Sequence, residues 1–345
     1  MKRVFATSIA LFATVLSAIP SSAEGIETES SNVQTQNLPD GGIVSIFSLP
    51  DGSTMTVASN LSTDTLTNAS AAQLKLYGIP PRPEDPDQFN DWLNMYSHSN
   101  QEAPSDSLEL PTNSEPYTTI YSGNWGGYLA GTLNVVNTSY VAVKSNFVVP
   151  SVQVACTASA NFGGGAWVGL GGTNNGTSDL VQQGIGWCNT NKTVNKWTPW
   201  TEFAPTQDPI PFCNYTTWAF SIGDVIYNNL SYQSSSDIAY FYMQNQTTGV
   251  AHSCSRTAPS SWSFNGNTAE CIMERPTSTL LVNYGTIRFT NCQVELGSNS
   301  TWYPIGQRSS VKQVLNGYTA PGILYQKTGS LGADDKSFTM TFLHQ

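Results

Sequence analysis

Charge is scarce in this chain. Only 11% of its 345 residues are Asp, Glu, Lys or Arg, against about a quarter in an ordinary soluble domain. Asn, Ser, Thr and Gly take their place. Basic residues number 14 and acidic ones 24, a net charge of −10. No basic face is left to meet phosphates, which argues against a nucleic-acid partner. Histidine is rarer still, with only His98, His252 and His344, so a Ser-His-Asp or Cys-His set has very few residues to draw on. P-loop, GxGxxG, HExxH and CxxC patterns are missing, which removes the usual signals of nucleotide and zinc chemistry. After residue 23 no apolar run approaches the ~20 residues of a membrane span, so no membrane partner is expected.

What is present is unevenly spread. Residues 24–115 hold 14 acidic residues against Lys75 and Arg82, a net of −12, whereas 116–345 hold ten of each sign. All six cysteines (156, 188, 213, 254, 271 and 292) lie in the second stretch. The first 23 residues resemble a secretory signal. Lys2 and Arg3 precede an apolar run from Val4 to Ile19, and Ser21-Ser22-Ala23 offers a small-residue cleavage site. An extracellular product is expected, and an even cysteine count then reads as disulfides.

Three regions follow: a signal over 1–23, an acidic propeptide and linker over 24–115, and a catalytic body over 116–345. In the second, Ser70-Ala71-Ala72-Gln73 is a capping-box pattern, and Gly78 with Pro80-Pro81 stops the helix. Asp85-Pro86 starts another helix, with Phe89, Trp92, Leu93 and Tyr96 on one apolar stripe. Such a stripe needs a partner surface. Ser97 to Glu115, rich in Ser, Pro and acids, reads as an exposed linker. We therefore expect a removable propeptide that docks on the body; a permanently attached accessory domain is the alternative.

The body is β-rich. Strands are expected over 139–149, 166–170, 180–187, 224–232, 238–244, 269–274 and 280–294, with a hairpin turn at Gln246-Thr247-Thr248-Gly249. No helical period appears after Glu115, so a sandwich or barrel is expected. Among the few ionisable groups, Glu202 lies between aromatics in Trp200-Thr201-Glu202-Phe203, and Glu274 ends the apolar strand Ala269-Glu270-Cys271-Ile272-Met273-Glu274. Alternation puts Glu270, Ile272 and Glu274 on one face. Glu270 and Glu274 are about 13 Å apart along a strand, too far to share a proton. A partner for Glu274 must come from another strand. Gln182 qualifies, because a strand glutamine can donate its amide N–H to a developing oxyanion.

These stretches, taken in order, resemble a family. Ser122-Gly123-Asn124-Trp125-Gly126-Gly127, Trp167-Val168-Gly169-Leu170-Gly171-Gly172, Leu180-Val181-Gln182-Gln183-Gly184, Trp200-Thr201-Glu202-Phe203-Ala204-Pro205 and Ala269 to Glu274 look like the successive signatures of the secreted glutamic peptidases, the eqolisins. The resemblance covers about Ser122 to Val294. The propeptide resembles that of prokaryotic members in its Gly78-Ile79-Pro80-Pro81-Arg82-Pro83 stretch.

The resemblance implies an all-β fold, an antiparallel sandwich of two curved sheets of jelly-roll or concanavalin type, preceded by a small, partly helical propeptide. It implies Gln182 and Glu274 as the catalytic dyad, and Trp125, Trp167, Trp200 and Glu202 as substrate-cleft residues. No metal or organic cofactor is required. Gly171, Thr201, Phe203 and Ala204 depart from fungal members at positions that concern substrate subsites. The function implied is a secreted, acid-active, pepstatin-insensitive endopeptidase. It would be made as an inactive precursor, act as a monomer on protein and peptide substrates, and have its own propeptide as a partner. Two readings from other classes are a jelly-roll glycoside hydrolase or lyase using Glu202 and Glu274, and a non-catalytic carbohydrate-binding sandwich.

Overall fold

The computed structural model describes residues 33–49, 52–97, 118–131, 139–156, 162–172, 179–188, 195–276, 279–297, 301–307, 312–319 and 323–344. The signal expected over 1–23 and nearly all of the linker lie outside these residues.

Residues 33–97 form strands β1 (Val33–Asn37), β2 (Ile43–Ser48) and β3 (Thr54–Ser59), then helices α1 (Thr63–Asn68), α2 (Ala71–Leu76) and α3 (Pro86–Tyr96). The body begins with β4 (Thr118–Ser122), β5 (Trp125–Gly131), β6 (Tyr140–Val148), β7 (Phe162–Gly171), β8 (Leu180–Trp187), β9 (Thr198–Ala204) and β10 (Ile210–Pro211). It continues with β11 (Val225–Gln233), β12 (Ile238–Asn245), β13 (Ala251–Thr257), β14 (Thr268–Glu274), β15 (Leu280–Leu281) and β16 (Thr286–Leu296). The last strands are β17 (Trp302–Pro304), β18 (Lys312–Thr319), β19 (Ile323–Leu324), β20 (Gln326–Thr328) and β21 (Phe338–Phe342).

Two sheets result. An eleven-stranded sheet runs β1-β2-β3-β13-β12-β11-β6-β16-β21-β20, with β17 on β16. A ten-stranded sheet runs β10-β9-β8-β7-β14-β5-β18-β19, with β15 on β7 and β4 on β18. The sheets pack face to face, as an all-β antiparallel sandwich requires. Val143, Phe147, Leu230, Phe241 and Phe289 of the first share one core with Val168, Leu170, Val181, Ile185 and Phe203 of the second. Alternation drives this packing: along β11, Ile226, Asn228, Leu230 and Tyr232 are buried while the residues between them are only partly so.

The expected β8 matches the structure end to end, and six of the seven expected strands keep their place within a few residues. The seventh, 280–294, is two strands in two different sheets. Gly285, at φ 62°, turns the chain between them, with the Asn283 side chain accepting its N–H. Strands β1 to β3 are not expected from the sequence either, because short apolar runs broken by Ser and Thr carry little periodicity. The α2 capping box is present, with Ser70 and Gln73 bonding reciprocally. The α3 stripe finds its partner surface: Trp92 and Tyr96 are buried in a second cluster with Tyr242 of β12, and Phe89 and Leu93 pack against it. Four cysteines pair, Cys156 with Cys188 and Cys213 with Cys254, while Cys271 and Cys292 are buried free thiols. The expectation that the even count is all disulfide therefore holds for four of the six. Among the described residues, no helix is long and apolar enough to cross a membrane.

Candidate active site

The candidate residues converge on the outer face of the ten-stranded sheet. Gln183 fixes which face is which. It is fully buried and points between the sheets, donating to the Tyr242 carbonyl (2.8 Å) and to Asn228 (3.3 Å). Its neighbour Gln182 therefore faces outward. On β14, Cys271 and Met273 join the inter-sheet core, so Glu270, Ile272 and Glu274 face outward too. Trp125 of β5, Trp167 of β7, and Trp200 and Glu202 of β9 complete the set, and Trp167, Trp200, Ile272 and Trp125 form a small apolar cluster there.

Glu274 is held by three donors. Asn124 Nδ2 (3.0 Å) and Trp125 Nε1 (3.1 Å) donate to its Oε1, and Trp167 Nε1 (2.8 Å) donates to Oε2. The two indoles meet edge to face with centroids 5.1 Å apart. Desolvation pushes Glu274 up to about 7, against these hydrogen bonds. Gln182 Nε2 donates to Glu202 Oε2 at 2.6 Å, while Gln182 Oε1 is buried without a hydrogen-bond partner. Glu202 is also pushed up to about 7, first by desolvation and then by the charge of Glu274, with the Gln182 bond and Arg256 opposing. Glu202 thus senses the charge of Glu274. With three N–H donors, Glu274 is the one better able to hold a negative charge.

Gln182 and Glu274 are not neighbours in register. On the shared strand β7, Gln182 lies opposite Gly169 and Glu274 opposite Gly165. The Trp167 side chain stands between these positions. No hydrogen bond joins the pair among the described residues, so a reacting group must span them. The floor is built tightly. A Cβ on Gly184 would fall 2.2 Å from the Ala166 carbonyl oxygen and 2.5 Å from Trp167 Cβ, so only glycine lets the Trp167 strand approach there.

Trp167 and Trp200 are buried, at 0% and 1% exposure, so neither offers a free stacking face. Trp167 holds Glu274 instead, and the Trp200 N–H has no hydrogen-bond partner among the described residues. Trp125 alone of the three is partly exposed. Asn124 is the residue that sequence reasoning missed. It lies in a Gly-Asn turn, where a bland turn role hides its contact with Glu274. Ser122 Oγ accepts the Trp125 N–H (3.0 Å) and bonds the Asn124 side chain (3.2 Å), which aims that turn. Glu270 is fully buried, and burial pushes it well above the usual range against a hydrogen bond with the Thr268 side chain. Among the described residues no group of three or more His, Cys, Asp or Glu could hold a metal ion.

A groove of about 1500 Å³ lies elsewhere, between α3 and the outer face of the eleven-stranded sheet, beside Tyr227, Tyr242 and Lys144. None of the six candidate residues lines it. The candidate residues instead share the ten-stranded face, which holds Glu202, Glu274 and the unpartnered Gln182 amide oxygen.

Comparison with known proteins bears on the family and the fold. The sequence profile of the Peptidase A4 family matches residues 123–319. Scytalido-glutamic peptidase, solved with a transition-state analog inhibitor, is similar in fold at 21% identity and a TM-score of 0.50, over 64% of this chain and 98% of that one. SCP-B, a member of the eqolisin family solved with the tripeptide Ala-Ile-His, matches at 19% identity and a TM-score of 0.45, over the same shares. No curated protein sequence matches the chain. The family profile spans more than half of the sequence and takes in Asn124, Trp125, Trp167, Gln182, Glu202 and Glu274, and the chain belongs to the Peptidase A4 family, the eqolisins.

Proposed function

We propose that this chain is a secreted acid endopeptidase in which Glu274 and Gln182 act on a water and a peptide carbonyl. The observation that carries the reading is the pair of unlike polar ends on one sheet face. At one end is a carboxylate held by three N–H donors; at the other is an amide fixed by Glu202 with its oxygen unpartnered. Glu274 takes a proton from water as the water oxygen attacks the carbonyl carbon. The Gln182 amide N–H donates to the oxyanion of the tetrahedral intermediate, a contribution of about 2.7–4 kcal/mol. Glu274 then gives its proton to the leaving nitrogen, and the C–N bond breaks. Glu202 orients Gln182, and Trp125 offers the accessible aromatic surface for substrate. The scheme uses no metal or organic cofactor.

Two ionisation effects set the working pH. Glu274 must lose its proton to act as base, which favours higher pH. Glu202 and Glu270, raised by burial, are neutral in the fold at acid pH, which favours the folded state there. Acid activity then requires that bound substrate bring Glu274 below its value of about 7 in the free enzyme. Removal of a signal over 1–23, release to the outside, synthesis as a precursor and a monomeric enzyme belong to the same reading. Hydrolysis of denatured protein from pH 2 to 8, with and without pepstatin, tests it. Activity that pepstatin leaves intact and that Glu274→Gln removes supports the scheme; full activity in that variant ends it.

A further inference from the structure

Glu274 ends β14, and Arg275 follows it with a full charge and five N–H donors. Arg275 is half-buried and reaches back to the turn that supplies two of the three donors on Glu274. Its Nη2 donates to the Gly123 carbonyl at 2.7 Å, and its backbone N–H donates to the Asn124 carbonyl at 2.8 Å. Its Nη1 donates to the Thr279 carbonyl at 3.2 Å, and the Thr279 hydroxyl donates in turn to the Pro276 carbonyl at 2.8 Å. The guanidinium lies 5.2 Å from the ring centroid of Tyr325, which is buried in the inter-sheet core.

Those bonds decide where the turn between β4 and β5 stands. Trp125 opens β5 opposite Glu274, so strand pairing sets part of its position. Asn124 lies before the strand and has no such frame. Ser122 Oγ holds the turn from within, and Arg275 holds it from outside by the carbonyls of Gly123 and Asn124. With both carbonyls held, the turn cannot tilt, and Asn124 and Trp125 keep their 3.0 and 3.1 Å contacts with Glu274 Oε1. Trp167 reaches Oε2 from β7 without passing through that turn. The guanidinium is committed to main-chain carbonyls, so Arg275 acts on Glu274 through the turn. The other titratable groups around Glu274 are Glu202 on β9, Glu270 on its own strand, and Tyr325, which burial raises to about 12 and keeps neutral.

We propose that Arg275 is a positioning residue for Glu274, locking the Gly123-Asn124 turn so that the Asn124 amide and the Trp125 indole face Oε1. The inference rests on the peptidase reading for its kinetic readout alone. The three N–H donors favour the charged carboxyl against burial. With the turn released, Oε1 loses its donors while Oε2 keeps Trp167. Glu274 then holds its proton to higher pH, and the ascending limb of the kcat/KM profile moves up with it. Each unit of that movement lowers the carboxylate fraction at pH 4 about tenfold.

Two readouts test it. In the first, kcat/KM is measured against pH for Arg275→Met, which keeps an apolar stem over Tyr325, for Arg275→Lys, which keeps the charge without the fork, for Asn124→Ala, and for Asn124→Ala combined with Arg275→Met. We expect Arg275→Met to lose at least about tenfold at pH 4, with the ascending limb moved to higher pH, and Arg275→Lys to lie between it and the parent. Adding Asn124→Ala to Arg275→Met should cost less than about threefold more, because that donor is already displaced. Losses that multiply, or a profile lowered equally at every pH, overturn the positioning role. The second readout needs no turnover. The indole N–H resonances of Trp125 and Trp167 are followed by NMR from pH 4 to 8. Both should titrate with Glu274 in the parent, and in Arg275→Met only Trp167 should. A Trp125 resonance that titrates as in the parent overturns the role. Should Arg275→Met fail to fold, Arg275→Lys is read in both ways, and a parent-like rate profile and Trp125 titration in that variant overturn the role. A parent without peptide hydrolysis at any pH sinks the peptidase reading, while the indole titration still decides whether Arg275 sets the turn.

Discussion

The two sheets of this sandwich carry outer faces of different character. On the eleven-stranded sheet, Glu295 has Lys144 beside it, Lys144 lies 4.1 Å over the Trp302 ring, and α3 covers the tyrosines. Charge there is compensated and aromatic surface is covered. On the ten-stranded sheet, Glu202 and Glu274 face outward together, burial raises both, the charge of Glu274 raises Glu202 further, and Glu270 is buried beneath the same face. In a chain with so few charges, uncompensated carboxyls on one face are costly to the fold. Buried, raised carboxyls gathered on one face are the physical mark of a candidate active site.

The comparison breaks most sharply at Glu274. Glu274→Gln should abolish peptide hydrolysis, as read by a quenched-fluorescence peptide assay, because no other carboxyl receives the Asn124, Trp125 and Trp167 donors. Lys144→Met on the opposite sheet should leave kcat unchanged. Gln182→Ala should lower kcat about 100-fold through the lost oxyanion donor. Asn124→Ala removes one of the three N–H donors that favour the carboxylate. It should cut kcat/KM about tenfold at pH 4 and move the ascending limb of the rate profile to higher pH.

Stability against pH sharpens the contrast. Glu202, Glu270 and Glu274 have folded-state pKa values above the unfolded value of about 4.3. The folded state then binds more protons than the unfolded chain between about pH 4.3 and 7. Stability is therefore greatest below that window and declines as pH rises through it. The thermal midpoint should be higher at pH 4 than at pH 7. Glu270→Gln should leave the midpoint at pH 4 nearly unchanged and raise it at pH 7; a drop at both would show that the protonated acid makes a bond that an amide cannot. The smallest effect is expected at Glu202. Glu202→Gln keeps a polar partner for Gln182 but removes a charge, so activity should fall several-fold and the pH profile should change, with the midpoint nearly constant at pH 4.

Much of this was legible in the chain. The runs Leu180 to Trp187 and Ala269 to Glu274 read as strands, and the alternation within them separates Gln182 from Gln183 and Glu274 from Met273. The Ser70 to Gln73 pattern gives a capped helix because the bonds that cap it are local. Other features were not legible for stated reasons. Asn124 reads as a turn residue, since its contact with Glu274 joins positions 150 apart in sequence. The tryptophans read as cleft surface, but neighbouring strands bury Trp167 and Trp200, and burial depends on which strands are adjacent. The stripe of α3 announces a need for a partner without naming Tyr242. Residues 33–59 carry too weak a period to announce strands that form by adding to an existing edge.

The sequence by itself determined the local choices: strand periodicity, the α2 cap, the turn at Gln246 to Gly249, and the order of the signature stretches. Each depends on residues within one or two turns of each other or on a repeat of two. Only the tertiary structure decided which carboxyl faces which donor, which cysteines pair, and which sheet the N-terminal segment joins. Strand order and sheet stacking set those, by bringing together side chains far apart in the chain. The same stacking takes Glu202, Glu270 and Glu274 out of water, which no count of charges along the sequence expresses.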